Sequence, residues 1–228
     1  MDAEYSFSML RFYYDEITRL LHDRAAHFRQ YTDELDEAHK KRGQPFDKAY
    51  WLKHYDVYSE YYPHIFRNTF LVSACGLFES HLSKLCALVK TEHESELGLD
   101  DMEKASVLTK ARRFLAFAGI ALKDAPPDAV QTMLATIPPY HKELSWPELW
   151  EEIENYYRLR NCVAHHNGCL ERMRHYKKVR AYASARGILP EGSPELSLTD
   201  EFNREACAVM GKFFFRLMSA YYSTPLPE

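Results

Sequence analysis

Ser145-Trp146-Pro147-Glu148, followed twenty-odd residues later by Asn167-Gly168, is the stretch that decides the fold. A hydroxyl acceptor stands at the cap, proline in the first turn and glutamate three residues on, which is the capping-box start of a helix. Leu149, Ile153, Tyr156 and Val163 then recur at helical spacing. Asn-Gly ends such a run because both residues tolerate the left-handed conformation of a helix exit. The spacing therefore predicts a helix from about Trp146 to the Asn167-Gly168 stop.

Working outward, the same periodicity recurs. Phe7, Leu10, Tyr14, Ile17, Leu20, Leu21 and Phe28 predict one long amphipathic helix over residues 7 to about 40, ending in the charged run Glu34 to Arg42 before Gly43 and Pro45. Ile65, Leu71, Cys75, Phe78, Leu82, Leu85 and Val89 predict a second, from His64 to about Thr91, apolar over so wide a face that it should be central. Residues 101 to 118 read as a third. Pro126-Pro127 and Pro138-Pro139 bracket a short helix or loop. Beyond the deciding helix come a basic helical segment over 170 to 186, a loop over Gly187 to Pro194, and a final helix opened by Thr199 or Asp200 and rich in Phe213, Phe214, Phe215 and Leu217.

Composition agrees with an all-α fold. The 228 residues include 25 Leu and 22 Ala but only 8 Val, 6 Ile and 8 Gly, which favours helix over sandwiches or glycine-rich phosphate loops. No strand run and no nucleophile elbow stands out. The expectation is one domain over 1–228, an elaborated four- to five-helix bundle. Residues 1–62 would form a helical extension and 63–222 the bundle core. The start Met1-Asp2-Ala3-Glu4 is acidic, and the longest mostly apolar stretch, Phe70 to Phe78, is about half of a membrane span. A soluble, cytoplasmic protein without membrane contact is expected. Five cysteines without a C-x-x-C pair argue against a disulfide framework, and Cys75, Cys86 and Cys207 read as small buried hydrophobes. The aromatic stretch Phe46 to Tyr62 reads as packing against the bundle, with base stacking on RNA as the alternative.

The formal net charge of −4 excludes a protein basic all over. Between Arg158 and Arg186, however, eight cations (158, 160, 172, 174, 177, 178, 180 and 186) face one anion, Glu171, so this stretch carries +7 and the remaining 199 residues −11. Such a run is either a solvated face or a track for a phosphate backbone. Inside it lies Tyr157-Arg158-Leu159-Arg160-Asn161-Cys162-Val163-Ala164-His165-His166-Asn167-Gly168. An Arg-Asn pair is a poor choice for a buried helix interior unless it has work to do. His165 stands near the helix C-terminus, where the dipole favours a cation. A guanidinium and an imidazole are the minimal equipment for phosphodiester cleavage without a metal.

Arg160-Asn161, three residues, then His165 resembles the Arg-x4–6-His signature of the HEPN superfamily. Leu71 to Ser80, with Glu79 in an apolar face, is similar to a helix of its bacterial members, and so is the terminal order of loop, Leu196-Ser197-Leu198, Glu201-Phe202 and Phe-rich helix. The resemblance implies a HEPN-type bundle, commonly dimeric, and a metal-independent endoribonuclease. Such enzymes leave a 2′,3′-cyclic phosphate and a 5′-hydroxyl, often as toxins or antiphage effectors. On that reading Arg160 stabilises phosphate charge, His165 is general acid/base and Asn161 orients them, while His166, at the other allowed spacing, competes with His165 for its role. No cofactor or metal is implied. RNA is the substrate, a second copy completes the site, and an antitoxin or regulatory protein is a further partner. Glu79 either orients Arg160 or pairs elsewhere. Arg158, Arg172, Arg174, Lys177, Lys178 and Arg180 are the candidate RNA-binding cations. A non-catalytic module binding RNA, nucleotide or protein is the alternative function. A zinc site from Cys162, His165, His166 and Cys169 is a rival use of the same residues.

Overall fold

A computed structural model of the chain describes residues 3–92, 99, 105–120, 144–174 and 176–223. Among them the architecture is all-α. The helices are α1 (Ala3–Lys41), α2 (Lys48–Asp56), α3 (Tyr62–Glu92), α4 (Val107–Phe117), α5 (Trp146–His166), α6 (Tyr176–Ala185) and α7 (Asp200–Tyr222). A π-helical turn, Val57–Tyr61, joins α2 to α3 without a break. Among the described residues the sole β pairing is one antiparallel bridge between Cys169 and Glu195. The prolines at 126, 127, 138 and 139, and the start of the helix expected at 101, lie outside the described residues.

α3 is central, as its broad apolar face requires. Phe70, Leu71, Ala74, Cys75, Phe78, Leu82, Leu85, Cys86 and Val89 are all buried, and α1, α4, α5 and α7 pack around them. Phe78 anchors the core, with its ring centroid 4.7 Å from Phe214 and 5.1 Å from Phe213 of α7. Trp150 of α5 meets Phe213 edge-on at 4.8 Å, an orientation that suits the ring quadrupoles. By length and composition the continuous stretch Lys48–Glu92 could cross a membrane, but Phe70, Leu71, Phe78, Leu82, Leu85 and Val89 within it are buried in this core.

The first half of α1 belongs to the same core, with Phe7 and Tyr14 buried. Its second half runs on beside α2 and the π turn. There Phe28 and Trp51 approach at 6.1 Å and Phe46 stacks on Trp51 at 6.4 Å, so the aromatic stretch packs as a seam between two helices. No residue of α2 is fully buried in it. The periodicity of α1 misassigns two positions: Ile17 and Leu20, expected in the core, are 40% and 58% exposed. Ile65 of α3 is likewise exposed.

A polar knot ties the helices where α7 begins. Asp200 accepts from Tyr14 Oη at 2.6 Å and from Arg67 Nε and Nη2 at 2.8 and 2.9 Å. Asn203 donates to the Arg67 carbonyl at 3.0 Å. Side chains of α1, α3 and α7 thus converge on one carboxylate, whose charge is satisfied by a bidentate guanidinium.

Candidate functional site

α5 starts and ends as its sequence dictates. The Ser145 backbone N–H donates to Glu148 Oε2 at 2.7 Å. At the other end Asn167 has φ 51° and Gly168 φ 79°, and the Gly168 N–H reaches back to the Cys162 carbonyl at 3.1 Å. This left-handed exit turns the chain so that Leu196 N–H meets the Gly168 carbonyl at 3.0 Å and Leu170 N–H meets the Pro194 carbonyl at 2.9 Å. The loop before α7, with Leu196 and Leu198 buried, clamps the end of the motif in place.

Arg160 lies half-buried where α5 crosses α3. Its Nη1 donates to Asn161 Oδ1 at 2.9 Å, while its Nε is buried with no partner. The neighbouring Tyr157 hydroxyl donates to the Cys75 carbonyl at 2.9 Å, which fixes α5 against α3 at this level. Burial pushes the Cys75 thiol up to about 12; Arg160 opposes that rise and Glu79 adds to it, so both charges are felt at one point of α3. Burial likewise raises the Tyr157 hydroxyl. Glu79 is half-buried, and Arg160 bonds Asn161 rather than Glu79.

His165 is exposed on the last turn of α5 and His166 is half-buried. Five residues separate Arg160 from His165, which on a regular helix means about 7.5 Å of rise and about 140° of rotation. Within one chain the cation and the imidazole therefore point in different directions. Asn161 and His165, four apart and both exposed, share a face.

Folding changes the basic strip. Arg158 is taken up along its own helix, with Nη2 2.7 Å from Glu154 and Nη1 2.6 Å from Asn155. Lys178 approaches Glu151 at 3.4 Å. Arg186 is ion-paired with Glu152 and Glu205, and Glu152 also accepts from the Tyr182 hydroxyl at 2.9 Å. Arg172, Arg174, Lys177 and Arg180 are exposed and carry no ion pair among the described residues. The anions that neutralise Arg158, Lys178 and Arg186 come from the first half of α5 and from α7, outside the sequence window that reads +7.

The zinc alternative finds no geometry. Cys162 is buried while His165 faces solvent, and among the described residues no three metal-ligating side chains converge. Burial, with Cys169 nearby, lifts the Cys162 thiol to about 11.

One feature of the site carries no motif signal. Ser73, Gly76 and Ser80 form an exposed face of α3 on the turns that carry Cys75 and Glu79. Around Gly76 there is open space where a Cβ would stand, so no packing among the described residues calls for a glycine there. A sequence reading that follows only apolar positions passes over such a face. Comparison with protein-family models, curated proteins and solved structures finds no match to this chain, so the functional reading rests on this geometry and on the motif.

Proposed function

We propose that the chain is a metal-independent endoribonuclease of HEPN type, on the four- to five-helix bundle that the resemblance implies. The observation that carries the reading is the state of Arg160: one guanidinium nitrogen is held by Asn161, another is buried and unpartnered, and an imidazole follows five residues later at a helix end. A guanidinium fixed in that way retains donors for phosphate oxygens and offsets the charge of a phosphorane. An imidazole takes the 2′-hydroxyl proton as O2′ attacks phosphorus. The P–O5′ bond breaks, and a second imidazole protonates the departing 5′-oxygen. The products are a 2′,3′-cyclic phosphate and a 5′-hydroxyl.

The divergence of Arg160 and His165 within one chain means that acid, base and cation must come from two copies. Ser73, Gly76 and Ser80 offer a low face on which a second chain can approach Arg160 closely. Arg172, Arg174, Lys177 and Arg180 would then track the RNA backbone leading to the site, while Arg158 and Lys178 are already engaged. Such an activity in the cytoplasm suits a toxin or antiphage effector held in check by an antitoxin or regulatory protein. Incubating the pure chain with single-stranded RNA in EDTA, beside Arg160→Ala and His165→Ala, tests the proposal. The second reading, a non-catalytic module that binds RNA, nucleotide or protein at this groove, draws on the same divergence: a single chain presents a phosphate-binding cation without an aligned base.

A further inference from the structure

The exit of α5 is a chain reversal with a thiol on either side of it. All five cysteines are free, and Cys162 and Cys169 stand seven residues apart across the turn. On an uninterrupted helix that spacing means about 10.5 Å of rise, beyond the roughly 7 Å that the Cα atoms of a disulfide can span. The left-handed residues Asn167 and Gly168 cancel the rise. Both of their N–H groups turn back to the Cys162 carbonyl, that of Gly168 at 3.1 Å, and Cys169 is the next residue.

Hydrogen bonds hold Cys169 in that place. Its own N–H donates to the His166 carbonyl at 3.0 Å. Its neighbours are tied to the loop before α7, where the Gly168 carbonyl accepts from Leu196 at 3.0 Å and the Leu170 N–H donates to the Pro194 carbonyl at 2.9 Å. Among the buried thiols, Cys162 is the one raised by another cysteine as well as by burial, which puts the Cys169 sulfur close to it. The two differ in access, for Cys162 is fully buried and Cys169 half-buried. A thiol that solvent reaches, set beside a sheltered second one, suits an oxidisable cysteine and its resolving partner.

We propose that Cys162 and Cys169 are a redox pair, which hydrogen peroxide converts to a reversible disulfide that staples the exit of α5. The Cys169 sulfur attacks the peroxide, the O–O bond breaks, and Cys169 becomes a sulfenic acid while the other oxygen leaves as water. Cys162 then attacks the Cys169 sulfur. The S–S bond forms, the S–O bond breaks, and the hydroxide departs with the Cys162 proton as water. Two thiols lose two electrons, and one peroxide becomes two waters. Burial keeps Cys162 a slow nucleophile, and fixed proximity to its target offsets that. The disulfide encloses His165, His166, Asn167 and Gly168. Its formation is independent of RNA cleavage; that it also immobilises the turn bearing a catalytic imidazole rests on the activity proposed above.

Hydrogen peroxide added to the pure full chain at pH 8, followed by peptide mass spectrometry without reduction, tests the pair. Both cysteines fall in the tryptic peptide 161–172. That peptide is expected to become lighter by two hydrogens, and dithiothreitol to restore it. In Cys162→Ala, with an unchanged helical circular-dichroism spectrum, Cys169 is expected to stay a sulfenic acid and its dimedone adduct to rise about tenfold or more. Cys169 left reduced or carried on to sulfinic acid in the unsubstituted chain, a disulfide to another cysteine or between two chains, or a dimedone yield indifferent to Cys162→Ala would overturn the proposal.

Discussion

Arg67 of α3 grips Asp200 at the start of α7 with two parallel hydrogen bonds, Nε to Oδ1 at 2.8 Å and Nη2 to Oδ2 at 2.9 Å, across 133 residues of sequence. Burial by itself would raise the Asp200 carboxyl, but the Arg67 and Tyr14 bonds outweigh it and hold the group below the usual carboxylate range. Asp200→Asn should therefore cost about 2 kcal/mol at pH 7, less than a fully buried pair because both side chains keep some solvent contact. A carboxyl depressed in the folded state stabilises above its unfolded value, near ~3.9, and loses that contribution as pH falls through the folded value. Urea titrations should show the gap between wild type and Asp200→Asn constant at neutral pH and shrinking below about pH 4.

Thiol accessibility offers a second check on the core. Burial raises Cys75, Cys86 and Cys207 each to about 12, whereas Cys169 is only half-buried. Alkylation of the native chain at pH 8, read by peptide mass spectrometry, should modify Cys169 first and reach the other three only on unfolding. Early modification of Cys75 would mean that the α3–α5 seam is open.

Gly76 separates fold from function. With open space around its missing Cβ, Gly76→Ala should stabilise the fold by up to about 1 kcal/mol. Gly76→Leu should also fold, yet it would fill the low face beside Arg160 and lower RNA cleavage at least about tenfold if a second chain approaches there. Thermal melts and cleavage rates on the two variants check both statements.

Four exposed cations of the strip and Arg186 should behave differently. Removing Arg172, Arg174, Lys177 or Arg180 should weaken RNA binding and lower its salt slope by about 0.7 per lost phosphate contact. Arg186, held by Glu152 and Glu205, should instead cost about 1–3 kcal/mol of stability when replaced by alanine, with the salt slope unchanged. Binding isotherms at several salt concentrations distinguish the two classes.

This contrast shows where the sequence was legible. The limits of α5 could be read directly because a capping box and an Asn-Gly exit act through local hydrogen bonds. The central place of α3 followed from the width of its apolar face. Periodicity failed for Ile17 and Leu20 because α1 carries two apolar faces, and Leu20 sits about 120° round the helix from Tyr14. The +7 strip overcounts free charge because Glu154 pairs with Arg158 along α5 itself, while Glu151, Glu152 and Glu205 reach Lys178 and Arg186 only through helix packing. Arg160 and His165 are legible as a motif, and their divergence follows from the five-residue spacing once the helix is known; that Arg160 is half-buried and His165 exposed is set by the packing of α5.

The central claim is tested most directly by treating a fluorescently labelled single-stranded RNA with the pure full chain in EDTA and identifying the new ends. The account predicts fragments ending in a 2′,3′-cyclic phosphate and a 5′-hydroxyl, formed by the unsubstituted chain and lost in folded Arg160→Ala and in the folded His165→Ala, His166→Ala double variant. RNA that stays intact under a folded, self-associating chain, or cleavage that persists in those variants, would contradict it.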